Sequence, residues 1–425
     1  MIGILLNFAQ AIFRKRDEGD TMKFLTRRSV MKASLISAGA SLLSKGSLTA
    51  LAQQENQPRG RADEELYNAK GLLAGGQLEI RMSASSLNPD LDLLEVAERM
   101  LPFNPESWHA EWLRGGDINL ARAEQLEKEG LKVSASDFYL RAARFYQDAV
   151  LYLPESDPRM LTTFNKLLDM YKRSWALVPP PYERLEIPYE GNTLPAYFSK
   201  PRGAAGQRFP VVYGFGGADS SVVGGGAGAY TARGMGFLWL DGPGQGIPLR
   251  LKHMYAPPDS ERVAKVVVDY LVSRPDVDPN RIGISGASIG GYTAPRCAWG
   301  DKRIKACAST SGAYSLLENI YDYYPPIRER LRWLMGAKDF EDARKKIGEF
   351  TLEGRAGEIE CPMLIGYRKD DRIMDPNGSY KLYQMATKSK RIMVGDMGHD
   401  VGRSRPPEVR AAIIPDWFSK QLGTA

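Results

Sequence analysis

The stretch Arg281-Ile282-Gly283-Ile284-Ser285-Gly286-Ala287-Ser288-Ile289-Gly290-Gly291-Tyr292-Thr293-Ala294 decides how the chain is read. The apolar run up to Ser285 reads as a buried strand, and Gly291 onward can open a helix. Between them, Gly286-Ala287-Ser288-Ile289-Gly290 is a G-x-S-x-G in the strand–turn–helix setting of a nucleophile elbow. A serine held on so sharp a turn brings backbone close on either side, which accounts for the flanking glycines. The following helix would aim its N-terminal N–H groups at the serine, where negative charge develops. The competing reading is a glycine-rich connection without chemistry, and only a base, an acid and an oxyanion hole elsewhere in the chain can displace it.

Downstream, Arg391–Val394 reads as a strand and its loop carries His399. Another short strand, Met363–Gly366, precedes Arg368-Lys369-Asp370-Asp371-Arg372-Ile373-Met374. Serine, acid, histidine is the chain order of α/β-hydrolases. Ser288 is therefore the expected nucleophile, His399 the base that takes its proton, and Asp371 the carboxylate that fixes the imidazole tautomer. Asp370 competes for the acid role, with Asp396 and Asp375 behind it. Asp371 is preferred because Ile373 follows it as in the D-x-[IV] turn common to this fold. Upstream, Tyr213-Gly214-Phe215-Gly216-Gly217-Ala218-Asp219-Ser220 offers a glycine-rich turn after the first core strand. The oxyanion donors expected are the Ile289 amide and that of Gly217 or Ala218.

The same alternation extends across the C-terminal part, 179–425. Tyr182–Glu190 and Thr193–Lys200 flank a hairpin signal at Gly191-Asn192. Pro210–Tyr213, Gly236–Leu240 and Ile304–Ser309 read as further strands, and Ser260–Ser273 as a helix with Val263, Val267, Tyr270 and Leu271 on one face. Strands alternating with helices predict a mostly parallel, doubly wound sheet, with ligands at its carboxyl edge. From Asp63 to Leu177 the periodicity is helical instead. Helices are expected near Asp63–Met82, Leu91–Met100, Ser107–Glu129, Ser134–Leu153 and Pro158–Ser174. This part, 53–178, is expected to be a lid or substrate-binding domain, with Trp108, Trp112, Tyr321 and Tyr324 as candidate substrate contacts. His109 reads more simply as a buried histidine with a satisfied hydrogen bond. Val178-Pro179-Pro180-Pro181 then serves as a rigid linker.

The 425 residues carry a net charge of +6, but nearly all the excess lies in residues 1–52. A nucleic-acid partner therefore loses its main support. Thr26-Arg27-Arg28-Ser29-Val30-Met31-Lys32 precedes a mildly apolar stretch ending in Ala50-Leu51-Ala52. This resembles a twin-arginine (Tat) export signal cleaved after Ala52, and implies the Tat machinery as a partner and a periplasmic or secreted protein. The apolar region is too weakly hydrophobic for a stable membrane span. Residues 1–21 do not belong to such a signal, so Met22 is the expected start.

Cys297, Cys307 and Cys361 show no C-x-x-C spacing, and with three histidines a structural zinc is not expected. They read as small buried apolar residues, ahead of a Cys297–Cys307 disulfide. The Gly224–Gly228 run lacks the Lys-Ser or Lys-Thr of a phosphate loop. No G-x-G-x-x-G stands at a strand end with an acidic residue behind it, so nucleotide binding is rejected, and no cofactor or metal is expected.

Asp241-Gly242-Pro243-Gly244-Gln245-Gly246, Gly216-Gly217-Ala218-Asp219-Ser220, the elbow and Tyr139-Leu140-Arg141-Ala142-Ala143 together resemble a family. It is the α/β-hydrolase group of dihydroxypseudooxynicotine hydrolase and the fermentation-respiration switch protein, over about residues 63–422. The resemblance implies a helical domain over a Ser-Asp-His site, matched position by position at Ser288, Asp371 and His399. Members divide between ester hydrolysis and retro-Claisen cleavage of a carbon–carbon bond beside a ketone. The second chemistry needs a proton donor for a carbanion. Where the nicotine-pathway enzyme has a carboxylate, Tyr324 stands here in Tyr321-Asp322-Tyr323-Tyr324, leaving Asp322 or a tyrosine hydroxyl. The reading is an exported serine esterase for aromatic or bulky esters. The alternatives are a carbon–carbon hydrolase and, more remotely, a non-catalytic hydrolase-like binding protein. A small-molecule ester or ketone is the expected substrate, and a homodimer is left open.

Overall fold

The computed structural model describes residues 91–101, 104–203, 206–218, 220–221, 227–369, 371–388, 390–395 and 413–424. The chain divides into two units, Met1–Arg59 and Gly60–Ala425, and everything described belongs to the second. The leader and the helix expected near Asp63–Met82 lie outside the described residues.

Four helices come first: α1 (Leu91–Arg99), α2 (Pro105–Lys128), α3 (Lys132–Ala149) and α4 (Pro158–Leu177). Asn104 caps α2 by accepting from the Ser107 amide, Asp157 caps α4 by accepting from that of Arg159, and each helix opens on a proline. Packing between α2 and α3 explains an odd pair in the middle of α2. A Cβ built at Gly115 would lie 2.4 Å from the Phe145 ring, and one at Gly116 2.4 Å from that of Tyr146. Two mid-helix glycines cost about 1 kcal/mol each relative to alanine. Here they let two fully buried aromatic rings of α3 lie directly against the α2 backbone. The Tyr-Leu-Arg-Ala-Ala motif sits on this seam. Ala142 and Ala143 are buried, and the Tyr139 hydroxyl donates to Glu127 across it.

The sheet has eight strands: β1 (Glu183–Tyr189), β2 (Asn192–Ser199), β3 (Phe209–Phe215), β4 (Gly236–Leu240), β5 (Val277–Ala287), β6 (Ile304–Thr310), β7 (Met363–Arg368) and β8 (Lys390–Gly395). Their order is β1-β2-β4-β3-β5-β6-β7-β8. From β4 to β8 all pairings are parallel, while β1 and β2 form an antiparallel hairpin on one flank. Tyr189 pairs with Asn192, so the hairpin turn is Glu190-Gly191, both at positive φ. That is one residue earlier than the Gly191-Asn192 signal suggests, because this tight turn needs two consecutive left-handed residues. Helices α5 (Ala227–Thr231), α6 (Gly246–Lys252), α7 (Glu261–Ser273), α8 (Ile289–Gly300), α9 (Arg328–Leu334), α10 (Phe340–Ile347), α11 (Pro376–Met385) and α12 (Ile413–Gln421) complete the described elements. Strand β3 is buried along its whole length, as a central parallel strand should be. Among the described residues no helix is long and apolar enough to cross a membrane.

The helical layer meets the α/β core through Val150, Leu153 and Met160, which pack against Leu249 and Trp333. Two buried arginines reinforce this seam. Arg330 donates to the Val150 and Leu151 carbonyls, at 3.1 and 2.8 Å, where α3 ends. Its guanidinium lies 4.9 Å from the centre of the Trp333 ring, and that of Arg250 lies 5.6 Å from the same ring. Cys297, Cys307 and Cys361 are free and buried, and burial pushes all three thiols up, Cys361 to about 12.

Candidate active site

Strand β5 ends at Ala287 and α8 starts at Ile289, so Ser288 alone makes the turn. Its backbone adopts φ 60° and ψ −123°, a conformation L-residues rarely take and one characteristic of stored local strain. The neighbouring strand and helix hold it there. The Ser288 amide donates to the Thr310 carbonyl at the end of β6, and the Gly291 amide donates back to the Ser288 carbonyl. A Cβ at Gly286 would lie 1.9 Å from the Gly290 carbonyl oxygen, and one at Gly290 2.3 Å from that of Phe215. Both clashes are with backbone, which cannot move aside, so no other residue fits either position.

The second clash also places the glycine-rich loop after β3. Gly290 lies against the Phe215 and Gly216 carbonyls, so the loop carrying Gly217 and Ala218 runs directly past the start of α8. The Asp-Gly-Pro-Gly-Gln-Gly turn fixes that loop from the other side. Buried Gln245 donates through Nε2 to the Gly216 carbonyl at 2.7 Å and to that of Gly217 at 3.0 Å. Its Oε1 accepts from the Gly242 amide. The Gly246 amide donates to the Ser220 carbonyl, and buried Asp241 accepts from the Ile247 amide at 3.1 Å. Gly246 has φ +40°, and a Cβ there would lie 1.7 Å from Asp241 Oδ2. With their carbonyls held by Gln245, the Gly217 and Ala218 peptides have their orientation set before any ligand arrives. Gln245 stands in the sequence only inside a family motif, and its bracing of this loop has no local sequence signal.

Asp371 lies just beyond β7 and is buried. Its Oδ1 accepts from the Ile373 and Met374 amides at 2.9 and 3.0 Å, which is what the D-x-I-M turn does physically. The Tyr323 hydroxyl donates to the Asp371 carbonyl at 2.7 Å. Asp375 is occupied otherwise: it caps α11 by accepting from the Asn377 amide. Because β5, β6, β7 and β8 are parallel neighbours, the ends carrying Ser288 and Asp371 share one edge of the sheet, and β8 ends there too. His399, Asp370, Asp396 and Asp219 lie outside the described residues, as does most of the Gly224–Gly228 run.

The aromatic candidates are placed differently. Trp108 and Trp112 are buried in the helical layer's own core with Leu93, Val96 and Phe145, and Trp108 Nε1 donates to the Asp148 carbonyl. His109 is buried with Nδ1 3.0 Å from the Ala149 carbonyl, the satisfied histidine that the sequence suggests. Tyr321 donates to the Phe340 carbonyl, and Arg328 lies over its ring. Tyr324 is buried as well. Asp322 points to cations, pairing with Arg344 and, at 3.9 Å, with Arg328.

Comparison with known proteins fits this architecture. Residues 77–321 match the esterase FrsA-like family, and residues 263–425 match the prolyl oligopeptidase family. The chain belongs to the FrsA-like esterase family. It is 34% identical over 332 residues to the 20-hydroxy-prefusarin hydrolase FUS2 of Gibberella moniliformis, covering 67% of this chain and 79% of that protein. It is 33% identical over 368 residues to the hydrolyase poxO of Penicillium oxalicum, covering 75% and 86%. A solved 2,6-dihydroxy-pseudo-oxynicotine hydrolase superposes with a TM-score of 0.65 at 23% identity, covering 78% of this chain and 93% of its own. AbyA5 does so with 0.59 at 19%, covering 76% and 88%. These likenesses establish an α/β-hydrolase fold.

Proposed function

We propose that this FrsA-like chain is an exported serine hydrolase of carboxylic esters with aromatic or bulky parts. The observation that carries the reading is the Ser288 backbone, held in its strained turn at the start of α8 with the oxyanion loop packed against Gly290. Ser288 Oγ attacks the ester carbonyl as His399 takes its proton, with Asp371 orienting the imidazole. The Ile289 amide and that of Gly217 or Ala218 hold the oxyanion. His399 then returns the proton to the leaving alkoxide, and later activates a water that releases the acid. The segment of residues 53–178, whose described helices are α1–α4, acts as the substrate-binding domain, and the twin-arginine leader directs the chain out of the cytoplasm.

Carbon–carbon cleavage at the same serine is the rival. It needs a donor to the carbanion, and two of its candidates are engaged elsewhere: Asp322 pairs with Arg344, and the Tyr321 hydroxyl donates to Phe340. The Tyr323 hydroxyl is engaged as well, donating to the Asp371 carbonyl. Four experiments test the proposal. A fluorophosphonate should label the wild type and not Ser288→Ala; an unlabelled wild type sinks the mechanism. The wild type should hydrolyse p-nitrophenyl esters in preference to aryl 1,3-diketones, and the reverse preference would replace the ester reading. His399→Ala should lose most activity while His109→Ala and His253→Ala keep it; equal losses would contradict the assignment. For export, replacing Arg27 and Arg28 together by lysine should leave the precursor in the cytoplasm by fractionation, whereas unchanged fractionation would remove that part of the reading.

A further inference from the structure

A cavity of about 710 Å³ opens between α4, the β1–β2 hairpin and the turn after β4. Its lining does not include Ser288, Ile289 or Asp371. Leu168, Tyr171 and Trp175 come from α4, Tyr197 from β2, Ser221 from the end of the oxyanion loop, and Ile247 from α6. The rings stand at angles to one another rather than closing into a stack. Tyr171 and Trp175 are 5.5 Å apart and tilted by 39°, and Trp175 and Tyr197 are 5.6 Å apart and near-perpendicular at 80°. The Trp175 indole N–H donates to the Tyr182 hydroxyl at 2.9 Å, which fixes that ring as a wall. Sites for small organic ligands have this size and makeup, apolar and aromatic walls with few polar groups.

Both glutamates on the lining face cations of the protein, while the other two charged side chains are engaged differently. Glu183 pairs with Lys200 and Arg274 at 2.7 and 3.0 Å. Glu186 faces Lys252 at 3.7 Å, Asp241 accepts from Ile247, and Arg184 lies 4.9 Å from the centre of the Trp175 ring. Ser221 differs. It is 5% exposed, and its hydroxyl has no hydrogen-bond partner. A buried hydroxyl left unpaired is costly, so an oxygen on a ligand in the cavity would gain by pairing with it.

We propose that this cavity is a second binding site, distinct from the serine centre, for a neutral, flat aromatic molecule carrying an oxygen that bonds the Ser221 hydroxyl. Aromatic walls favour a flat π-system, and both lining glutamates already face cations of the protein. The site does not depend on Ser288 being a nucleophile, so it can fail or stand independently of the ester reading.

The test uses 2-naphthol with the full chain and calorimetric titration, which reads binding without turnover. Wild type should bind one equivalent. Leu168→Trp, which fills the cavity from α4, should weaken binding at least about tenfold, the loss expected when a ligand's apolar contacts are displaced. Ser221→Ala leaves the cavity open but removes the hydroxyl, and should weaken binding about fivefold. Thermal melts establish that each variant is folded; if Leu168→Trp is not, Ser221→Ala still decides. Absence of binding to folded wild type, or wild-type affinity in the folded variants, overturns the proposal.

Discussion

At the residue scale, the motif glycines and Gln245 convert a chain of common amino acids into a preorganised turn. Gly286 and Gly290 were legible in advance because their constraint is local: the elbow itself forces backbone onto backbone. Gln245 was not legible as a bracing residue, since its partners, the Gly216 and Gly217 carbonyls, lie almost thirty residues away. Asp371 falls between these cases. Its turn has a sequence signature, and the structure shows what that signature does: Oδ1 accepts from the Ile373 and Met374 amides, while Asp375 caps α11. Gln245→Ala should leave KM for a p-nitrophenyl ester nearly unchanged and lower kcat by about tenfold, because loosened oxyanion donors matter most in the transition state. An unchanged kcat in a folded variant would remove Gln245 from the positioning machinery.

At the element scale, periodicity found most described helices and strands to within a few residues, and the exceptions have causes. The helix expected over Ser134–Leu153 occupies Lys132–Ala149, its buried face running through Ala135, Tyr139, Ala142 and Tyr146, while Arg330 holds the carbonyls just beyond its end. Helix α8 contains Pro295, whose missing N–H would orphan the Gly291 carbonyl. The fully buried Ser309 of β6 supplies the replacement donor at 2.6 Å. Ser309→Ala should therefore destabilise the protein by about 1–3 kcal/mol in urea unfolding, the cost of an unsatisfied buried acceptor. Adding Pro295→Ala should recover part of that loss, because the new amide can bond Gly291 in the helix. Strictly additive effects would show that the two residues do not share this carbonyl. In the helical layer, the apolar faces were visible, but which neighbour fills them was not. Trp108 and Trp112, expected at the substrate, pack inside the layer, while Tyr171 and Trp175 line open space.

At the scale of the whole molecule, an ion network ties the flanking hairpin to the start of β5. Glu183 and Asp276 share Lys200 and Arg274, and Arg274 also lies over Phe198. Burial by itself would raise the Asp276 carboxyl, but hydrogen bonds from Arg274 and Lys200 outweigh it and hold it down, from 3.8 to about 2. A carboxylate held low in the folded state contributes stability that is complete above 3.8 and is lost as pH falls through about 2. Asp276→Asn should therefore melt below wild type near neutral pH, with the gap closing as pH falls through that window. A gap that persists at the acid end would mean that the residue acts by packing rather than charge. The sequence by itself determined the α/β class, the strand–elbow–helix unit, the chain order of Ser288, Asp371 and His399, and the helical character of the segment before the sheet. Each follows from turn sterics or side-chain period, which act over a few residues. Tertiary structure alone decided that Gln245 braces the Gly216–Ala218 loop, that Ser309 completes α8, and that the aromatic side chains beside the hairpin enclose a cavity. Those outcomes depend on which distant backbone groups and ring faces meet, and no local pattern encodes that meeting.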